Sequence, residues 1–440
     1  MNLNIENFFK NKGKNNIIIV GLGYVGLPLL MTFNKKYNVI GFDLNKERIE
    51  ELKNNYDRTE QISEEELKKA NIKFSNDPSI LKKGKIFIIT VPTPITKETN
   101  PDLSYIKGAS ELVGSYISKK SLIIYESTVY PGVTEEICVP IIEKSSNLKW
   151  KKDFWVGYSP ERISPGDMNN VEKIKKVVSG DTPETAEFLK ILYSNVITRG
   201  IYKAESIKTA EAVKLTENIQ RDVNIALMNE LAIIYSKMGI NIHNVIEAAS
   251  TKWNFIKIYP GLVGGHCIAV DPYYLIYRSR QFNYEPKIIN AARVINEEIP
   301  EFIAKQAIKL ILSHKDKKLN KRILILGFTY KENIKDTRNT KVYELYRILQ
   351  EYGFNIDIFD PMVIEKEVEK EYNIKVETKE ENIINNKYDA LIIAVKHNYF
   401  KKFYNKKSIK KLIGKNGIII DIKAVLKNKN FIKYFIYWNF

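Results

Sequence analysis

The sequence predicts an α/β protein: two doubly wound domains joined by a helical middle region. Three observations carry this. Over residues 1–205, short apolar runs alternate with helix-period stretches, as a sheet with crossover helices requires. From residue 206 a long helix-period stretch runs without proline or glycine until Gly239. Further on, the opening pattern NIIIVGLG…VIGFD returns as RILILGFT…IDIFD. With 440 residues, 44% of them hydrophobic, the chain can bury more than one core, since domains run to roughly 100–200 residues.

In order along the chain, NIIIV (16–20) is a first strand, GLGYVG (21–26) a glycine turn, LPLLMTF a helix and VIGFD (39–43) a second strand. KIFIITVP (85–92) and SLIIYEST (121–128) extend a parallel sheet. The middle region is helical over about 206–250 and again over 287–314. After the charged SHKDKKLNK (313–321), RILILGFTY (322–330), NIDIFDP (355–361), YDALIIAV (388–395) and GIIIDI (417–422) supply a second set of strands, with KVYELYRILQEYG (341–353) as a helix. The expected domains are 1–205, 206–315 and 316–440.

Composition excludes several classes. Two cysteines without paired spacing, Cys138 and Cys267, and four histidines argue against a disulfide framework or a structural zinc site and for a reducing cytoplasm. The N-terminus lacks the basic stretch and apolar run of an export signal, and no apolar segment approaches the ~20 residues of a membrane span, so no membrane partner is expected. The formal charge of +17 comes from lysines spread through a Lys, Asn and Ile-rich chain. Without a basic stripe interleaved with aromatics, that charge reads as a solvated surface and not as a nucleic-acid partner.

In a G-x-G-x-x-G turn, the first glycine permits the tight bend, the second lets a pyrophosphate approach the backbone, and the third lets helix and strand pack closely. Gly21, Gly23 and Gly26 take these places between a strand and a helix, and Asp43 closes the next strand. This makes the first domain Rossmann-like. Asp43 can accept from ribose hydroxyls and repels a 2′-phosphate, which favours NAD over NADP, while Arg48 stands near enough in sequence to meet such a phosphate. Tyr24, Val25, Thr93 and Thr128 complete the expected cofactor contacts.

The stretch GLVGGHCIAVDPYY (261–274) places Cys267 after two glycines and four residues before Asp271. Such a cysteine can be a small buried hydrophobe, or it can be a nucleophile forming a thiohemiacetal that a nicotinamide cofactor oxidises to a thioester. The glycines, which would let a substrate approach, and Asp271 favour the second reading. Asp271 could otherwise be a turn residue before Pro272, and His266 a loop hydrogen-bonder. Cys138, within EEICVPII, is assigned to the core. Lys214 and Asn218, four apart in AEAVKLTENI, share a helical face that on spacing alone reads as an exposed polar stripe.

GLGYVGLP, VPTP (91–94), ESTVYPGVTE (126–135), YSPERISPGD (158–167), AEAVKLTEN (210–218), GGHCIAVDPYYL (264–275) and GFTYKENIKDTRNTKV (327–342) stand in the order found in nucleotide-sugar 6-dehydrogenases. The chain resembles the UDP-glucose/GDP-mannose dehydrogenase family over about residues 16–425. Its GGHCIAVDPYYL loop, with YSPER, is more similar to the branch acting on UDP-N-acetylhexosamines than to the UDP-glucose branch, whose loop reads closer to GGSCLPKD.

The resemblance implies that Cys267 is the nucleophile, that Lys214 and Asp271 handle protons and polarise a water, and that Asn218 orients substrate oxygens. It implies Glu161 as the base for thioester hydrolysis and Thr128 as the holder of the hydrolytic water. Arg162, Lys331 and Arg338 become substrate ligands, and the backbone from Tyr259 to Gly264 lines the sugar. Without the motif order, Glu161 and Arg162 would read as a surface ion pair and Lys331 and Arg338 as solvated charges. The UDP-glucose branch has an arginine sixteen residues before the cysteine that reaches a neighbouring subunit; here Thr251 stands there, followed by Lys252, and no such contact is carried over.

The implied reaction is a four-electron oxidation using two NAD molecules in succession, by a homodimer whose central region joins an NAD domain to a UDP-sugar domain. A free cysteine titrates at about 8.5, and a nearby Lys214 ammonium would favour the thiolate. The product would serve surface polysaccharide synthesis. The alternatives are a UDP-glucose 6-dehydrogenase, a single-oxidation hydroxy-acid dehydrogenase and a non-catalytic nucleotide or nucleic-acid binder.

Overall fold

The computed structural model describes residues 16–162, 168–313 and 321–440. The N-terminal stretch 1–15, residues 163–167 of the YSPERISPGD motif and residues 314–320 of the charged stretch lie outside the described residues. The chain forms two compact units, one of Met1–Glu217 with Tyr273–Tyr284 and one of Asn218–Pro272 with Glu285–Phe440.

The first unit holds β1 (Asn16–Val20), β2 (Val39–Phe42), β3 (Lys73–Ser75), β4 (Gly84–Ile89), β5 (Ser121–Tyr125), β6 (Phe154–Tyr158), β7 (Lys176–Gly180) and β8 (Ile201–Lys203) in one sheet, ordered β3-β2-β1-β4-β5-β6-β7-β8. Ile17, Ile18 and Ile19 of β1 are fully buried on both faces, which is why this strand reads as an unbroken apolar run. Helix α1 (Gly26–Asn34) follows the glycine turn and buries Leu27, Leu29, Leu30 and Phe33.

The expected parallel arrangement holds except between β6 and β7, which pair antiparallel through Gly157↔Gly180 and Tyr158↔Ser179. The described residues between these strands contain a 3₁₀ turn (Met168–Lys173) and no α-helix, and an antiparallel neighbour needs no helical crossover.

The second unit carries the all-parallel sheet β10-β9-β11-β12-β13, from β9 (Arg322–Leu326), β10 (Asn355–Phe359), β11 (Ala390–Ile393), β12 (Ile418–Asp421) and β13 (Ile436–Asn439). The middle region is helical as expected: α2 (Ile207–Lys237), α3 (Asp271–Gln281) and α4 (Lys287–Ser313). The boundary between the units at Glu217/Asn218 falls within α2. Helix α5 (Lys341–Glu351) buries Val342, Leu345 and Leu349 against the second core.

The sequence repeat extends to single atoms. Gly21 and Gly327 both take φ +94°, and their amides donate to Phe42 O and Phe359 O, each at 2.9 Å. The next amide, Leu22 or Phe328, donates to the acid ending the second strand, Asp43 at 2.8 Å or Asp360 at 2.6 Å. The two acids then differ. Asp43 is half-buried, whereas Asp360 is fully buried and also bonded to Thr329 N (3.0 Å) and His397 Nε2 (3.0 Å).

Candidate active site

Each glycine of the first turn has its own physical reason. Gly21 needs its left-handed φ, and a Cβ on Gly26 would lie 1.8 Å from the Gly21 carbonyl oxygen. A Cβ on Gly23 would meet nothing within 4 Å, so the fold itself leaves that position open. Exposed bare backbone at the start of α1, with Asp43 alongside, suits a pyrophosphate and a ribose and therefore fits NAD. Asp43 already accepts from Leu22 N at 2.8 Å and Asn45 N at 2.9 Å, bonds that leave each oxygen a further lone pair. Arg48 is buried, donating to Leu22 O at 2.9 Å and pairing with Asp57 at 2.7 Å. It braces the turn from behind, and in this placement does not present its guanidinium to a 2′-phosphate. Tyr24, Val25, Thr93 and Thr128 are all partly exposed.

Lys214 and Glu161 are brought together. Lys214 Nζ lies 2.8 Å from Glu161 O and 3.1 Å from Glu161 Oε2, with side chains only 6% and 8% exposed. The exposed-stripe reading of Lys214 therefore does not hold. Nor do Glu161 and Arg162 pair with each other: Arg162 pairs with Glu217, one turn beyond Lys214 on α2, and donates to Lys175 O at 2.8 Å. Two ion pairs thus dock the SPER segment on the first turns of this helix.

In the second unit, Asn218 donates to the carboxylate of Asp271, which is buried at the start of α3. The Cys267 carbonyl accepts from Asp271 N at 2.8 Å and Val270 N at 3.1 Å, so the cysteine loop winds directly into that helix. Both ends of the loop are pinned. Asn229 of α2 takes Gly261 N at 2.7 Å and gives to Gly261 O at 3.2 Å, while Arg293 of α4 gives to Ala269 O at 2.9 Å. Arg293 is buried and paired with Asp222 at 2.9 Å, and Asn296 links Asp222 (2.8 Å) to Asn229 (2.8 Å). Cys267 is partly exposed and so open to a substrate, whereas Cys138 is buried core with its thiol pushed up to about 11 by burial.

The glycines before Cys267 serve packing as well as access. A Cβ on Gly264 would lie 2.6 Å from Asn339 O and one on Gly265 (φ +80°) 2.7 Å from the Tyr330 ring. The loop therefore sits flush against the 327–340 segment, fixed by Asn339 Nδ2 to Gly265 O at 3.1 Å. His266 lies edge-on to Tyr330, its Nδ1 3.5 Å from Asp336, which also takes a two-pronged contact from Arg338 (3.0 and 2.6 Å). Beside them a small recess is lined by Gly264, Thr329, Lys331, Lys341 and Lys423 among others. The Tyr259 hydroxyl donates to Glu247 at 2.6 Å, leaving its ring 41% exposed.

Three family models match this chain: the NAD binding domain of the UDP-glucose/GDP-mannose dehydrogenase family over residues 15–197, its central domain over 208–298 and its UDP binding domain over 324–428. The chain belongs to the UDP-glucose/GDP-mannose dehydrogenase family. It is an NAD-dependent nucleotide-sugar dehydrogenase.

Relatives in this family include Protein CapL of Staphylococcus aureus, 48% identical over 94% of this chain and 96% of that protein. A UDP-N-acetyl-D-glucosamine 6-dehydrogenase of Pseudomonas aeruginosa is 47% identical over 93% of this chain and 97% of that one. Among solved structures, a UDP-D-ManNAc dehydrogenase from Pyrococcus horikoshii superposes with a TM-score of 0.86 at 31% identity, covering 96% of this chain and 98% of that chain.

Within this family member the sequence reading missed Lys423. It follows β12 and lines the same cavity as Lys331, with its Nζ 3.0 Å from where a Cβ on Gly261 would stand. Burial pulls its ammonium below the ordinary lysine value, Glu332 opposing and Lys396 adding to the effect, so an anion in the cavity would relieve it. The signal was positional: ligands of open α/β sheets gather at the carboxyl ends of the strands, and Lys423 stands two residues past one. Thr251 and Lys252 are exposed.

Proposed function

We propose that this dehydrogenase oxidises the C6 hydroxyl of a UDP-N-acetylhexosamine to the uronate through a thioester on Cys267. One observation carries the reading: the Cys267 loop packs against the segment that lines the lysine-rich cavity, with Gly264 common to both. A nucleophile is thereby built beside a recess lined by Lys331, Lys341 and Lys423 in one unit. The names of its relatives support an N-acetylated sugar. In this reading residues 1–205 hold NAD, 316–440 hold the UDP moiety, and 206–315 carry the cysteine loop. The enzyme works in the cytoplasm as a homodimer, which the exposed Leu227, Ile234 and Met238 of the α2 region support. Its product enters surface polysaccharide synthesis.

NAD, bound at the glycine turn, supplies the hydride acceptor for each of two oxidations. Lys331, Arg338 and Lys423 neutralise the diphosphate, and Arg162 adds a further substrate contact. Asn218 holds Asp271, which receives the C6 hydroxyl proton as hydride leaves C6, while the Lys214 ammonium polarises the oxygen. The Cys267 thiolate then adds to the aldehyde carbon, and the carbonyl oxygen takes a proton to give a thiohemiacetal. Loss of the remaining C6 hydride and the hydroxyl proton leaves the thioester. Water held by Thr128 and deprotonated by Glu161 adds to the thioester carbon, the C–S bond breaks, and thiolate and uronate are released. The sum is one alcohol, one water and two NAD giving one carboxylate, two NADH and three protons.

The test is a panel of UDP-sugars assayed for NADH formed per uronate. The expected ratio is two, with a UDP-N-acetylhexosamine preferred over UDP-glucose and NAD over NADP. A Cys267→Ser variant should bind UDP-sugar yet lose turnover by orders of magnitude, because serine is a far weaker acyl carrier. A ratio of one, or near-normal turnover in that variant, overturns the thioester; a preference for UDP-glucose overturns the substrate assignment alone.

A further inference from the structure

The carbonyls of Pro160 and Glu161, one after the other, are each held by a buried lysine. Lys214 Nζ lies 2.8 Å from Glu161 O, and Lys176 Nζ 3.3 Å from Pro160 O. Lys176 stands on β7 with its side chain 2% exposed, and its ammonium also pairs with the fully buried Glu126 carboxylate at the end of β5. The Tyr193 hydroxyl donates a second bond to Glu126 at 2.5 Å. Burial, with Glu126 adding to it, holds that phenol far above its ordinary value, so it remains a donor.

Glu126 precedes Thr128 by two residues, and Ser127 between them is fixed on both sides. Its Oγ donates to Val91 O at 2.7 Å, and its carbonyl accepts from the Tyr158 hydroxyl at 3.1 Å. A single ammonium therefore ties the end of β5, leading to Thr128, to the end of β6, leading to Glu161. As a stability device alone the pair would be a poor choice, because apolar residues of like volume often do as well or better. Its placement at the carboxyl ends of two neighbouring strands, where ligands of such sheets bind, points to geometry as its use.

We propose that Lys176 is a positioning residue for thioester hydrolysis, fixing Glu161 and Thr128 relative to one another by joining the Pro160 carbonyl to the Glu126 carboxylate. This rests on the reading of Glu161 and Thr128 as the residues that activate and hold the water. In the step concerned, water gives its proton to Glu161, its oxygen bonds to the thioester carbon, and the C–S bond breaks to return the Cys267 thiolate. Hydride transfer depends less on this tie, since Thr128 is one of several expected cofactor contacts and Lys214 keeps its own contacts with Glu161. A misplacement of about 1 Å can cost roughly a hundredfold in rate, so hydrolysis is the step that should slow.

The experiment uses the full chain, NAD and the UDP-N-acetylhexosamine that the wild type oxidises. It follows rapid-quench NADH formation and the intact mass of the quenched protein. Lys176→Met combined with Glu126→Gln removes both charges and strands neither. Lys176→Arg keeps the buried cation, should the double variant not fold, but replaces one ammonium nitrogen with a planar fork. Expected are a first turnover of two NADH per site within about threefold of the wild-type rate, steady turnover lower by roughly a hundredfold, and a sugar-acyl adduct on Cys267, the arginine variant showing it to a smaller extent. The proposal is overturned if neither variant gathers the adduct, or if hydride transfer and steady turnover slow equally. Glu161→Gln is the control: adduct there but in neither lysine variant sinks only the role of Lys176, whereas no adduct there sinks the reading beneath it.

Discussion

Lys214 chelates Glu161, taking both its backbone carbonyl (2.8 Å) and its carboxylate (3.1 Å) inside the first unit. Lys214→Met strands a buried carboxylate, a loss of about 3–5 kcal/mol, and should also lower turnover by about a hundredfold or more. Lys214→Met with Glu161→Gln should regain most of the lost Tm and none of the turnover. Calorimetry beside a steady-state assay separates the two effects; activity that returned along with Tm would reduce the pair to a packing feature.

The glycine turn allows a sharper contrast. Gly26→Ala forces a methyl to within 1.8 Å of Gly21 O and should unfold the turn, lowering Tm by several degrees, since about 1–3 kcal/mol goes with such overpacking. Gly23→Ala meets open space, so the Tm of the free enzyme should stay put while the Kd for NAD rises about tenfold or more. Titration calorimetry with NAD checks this, and unchanged affinity would remove Gly23 from the pyrophosphate site.

Lys423 offers a binding test with an opposite stability sign. Because burial disfavours its charge, Lys423→Met should leave Tm equal or higher while UDP binds about tenfold more weakly. Lower Tm with unchanged UDP affinity would make Lys423 a structural residue.

Glu211 gives a pH signature. Burial pushes its carboxyl up to about 7, against amide bonds from Gly132 (2.6 Å) and Thr134 (3.0 Å) that favour the anion. An unfolded glutamate titrates near 4.3, so the folded chain holds this proton more tightly. The stabilisation is full below about 4.3 and is lost as pH rises through about 7. Glu211→Gln is neutral throughout, so the Tm of the wild type relative to this variant should fall between about pH 5 and 7.5. Parallel Tm curves would contradict the assignment.

The strands easiest to find were β1, β4, β5, β9, β11 and β12, whose apolar runs are buried on both faces. The strands β3 and β8 have only three residues each, and half of their positions face solvent, so nothing in the sequence marks them. Of the proposed site residues, Cys267, Lys214 and Asp271 were legible because they lie in motifs. Lys176 and Lys423 were not: in a chain with 69 lysines and arginines, a buried or half-buried lysine becomes distinct only when the fold shows which carbonyl or cavity it faces. Arg48 was legible as a residue but not as a brace, because its partner Asp57 carries no local pattern linking the two.

The sealing of Asp360 by His397 bears on timing. The second unit repeats the strand-turn-strand geometry of the first, yet its acid faces inward, and Thr329 and Glu332 stand where the later glycines would be. Among the described residues, one turn with an outward-facing acid is left to admit a dinucleotide. On the proposed mechanism, the spent cofactor must therefore depart and a fresh one enter while the half-oxidised sugar waits. Departure becomes a mid-cycle event, and the cysteine's hold on the sugar must outlast it. A compound occupying the turn without accepting hydride would arrest the enzyme part-way, with the sugar still attached.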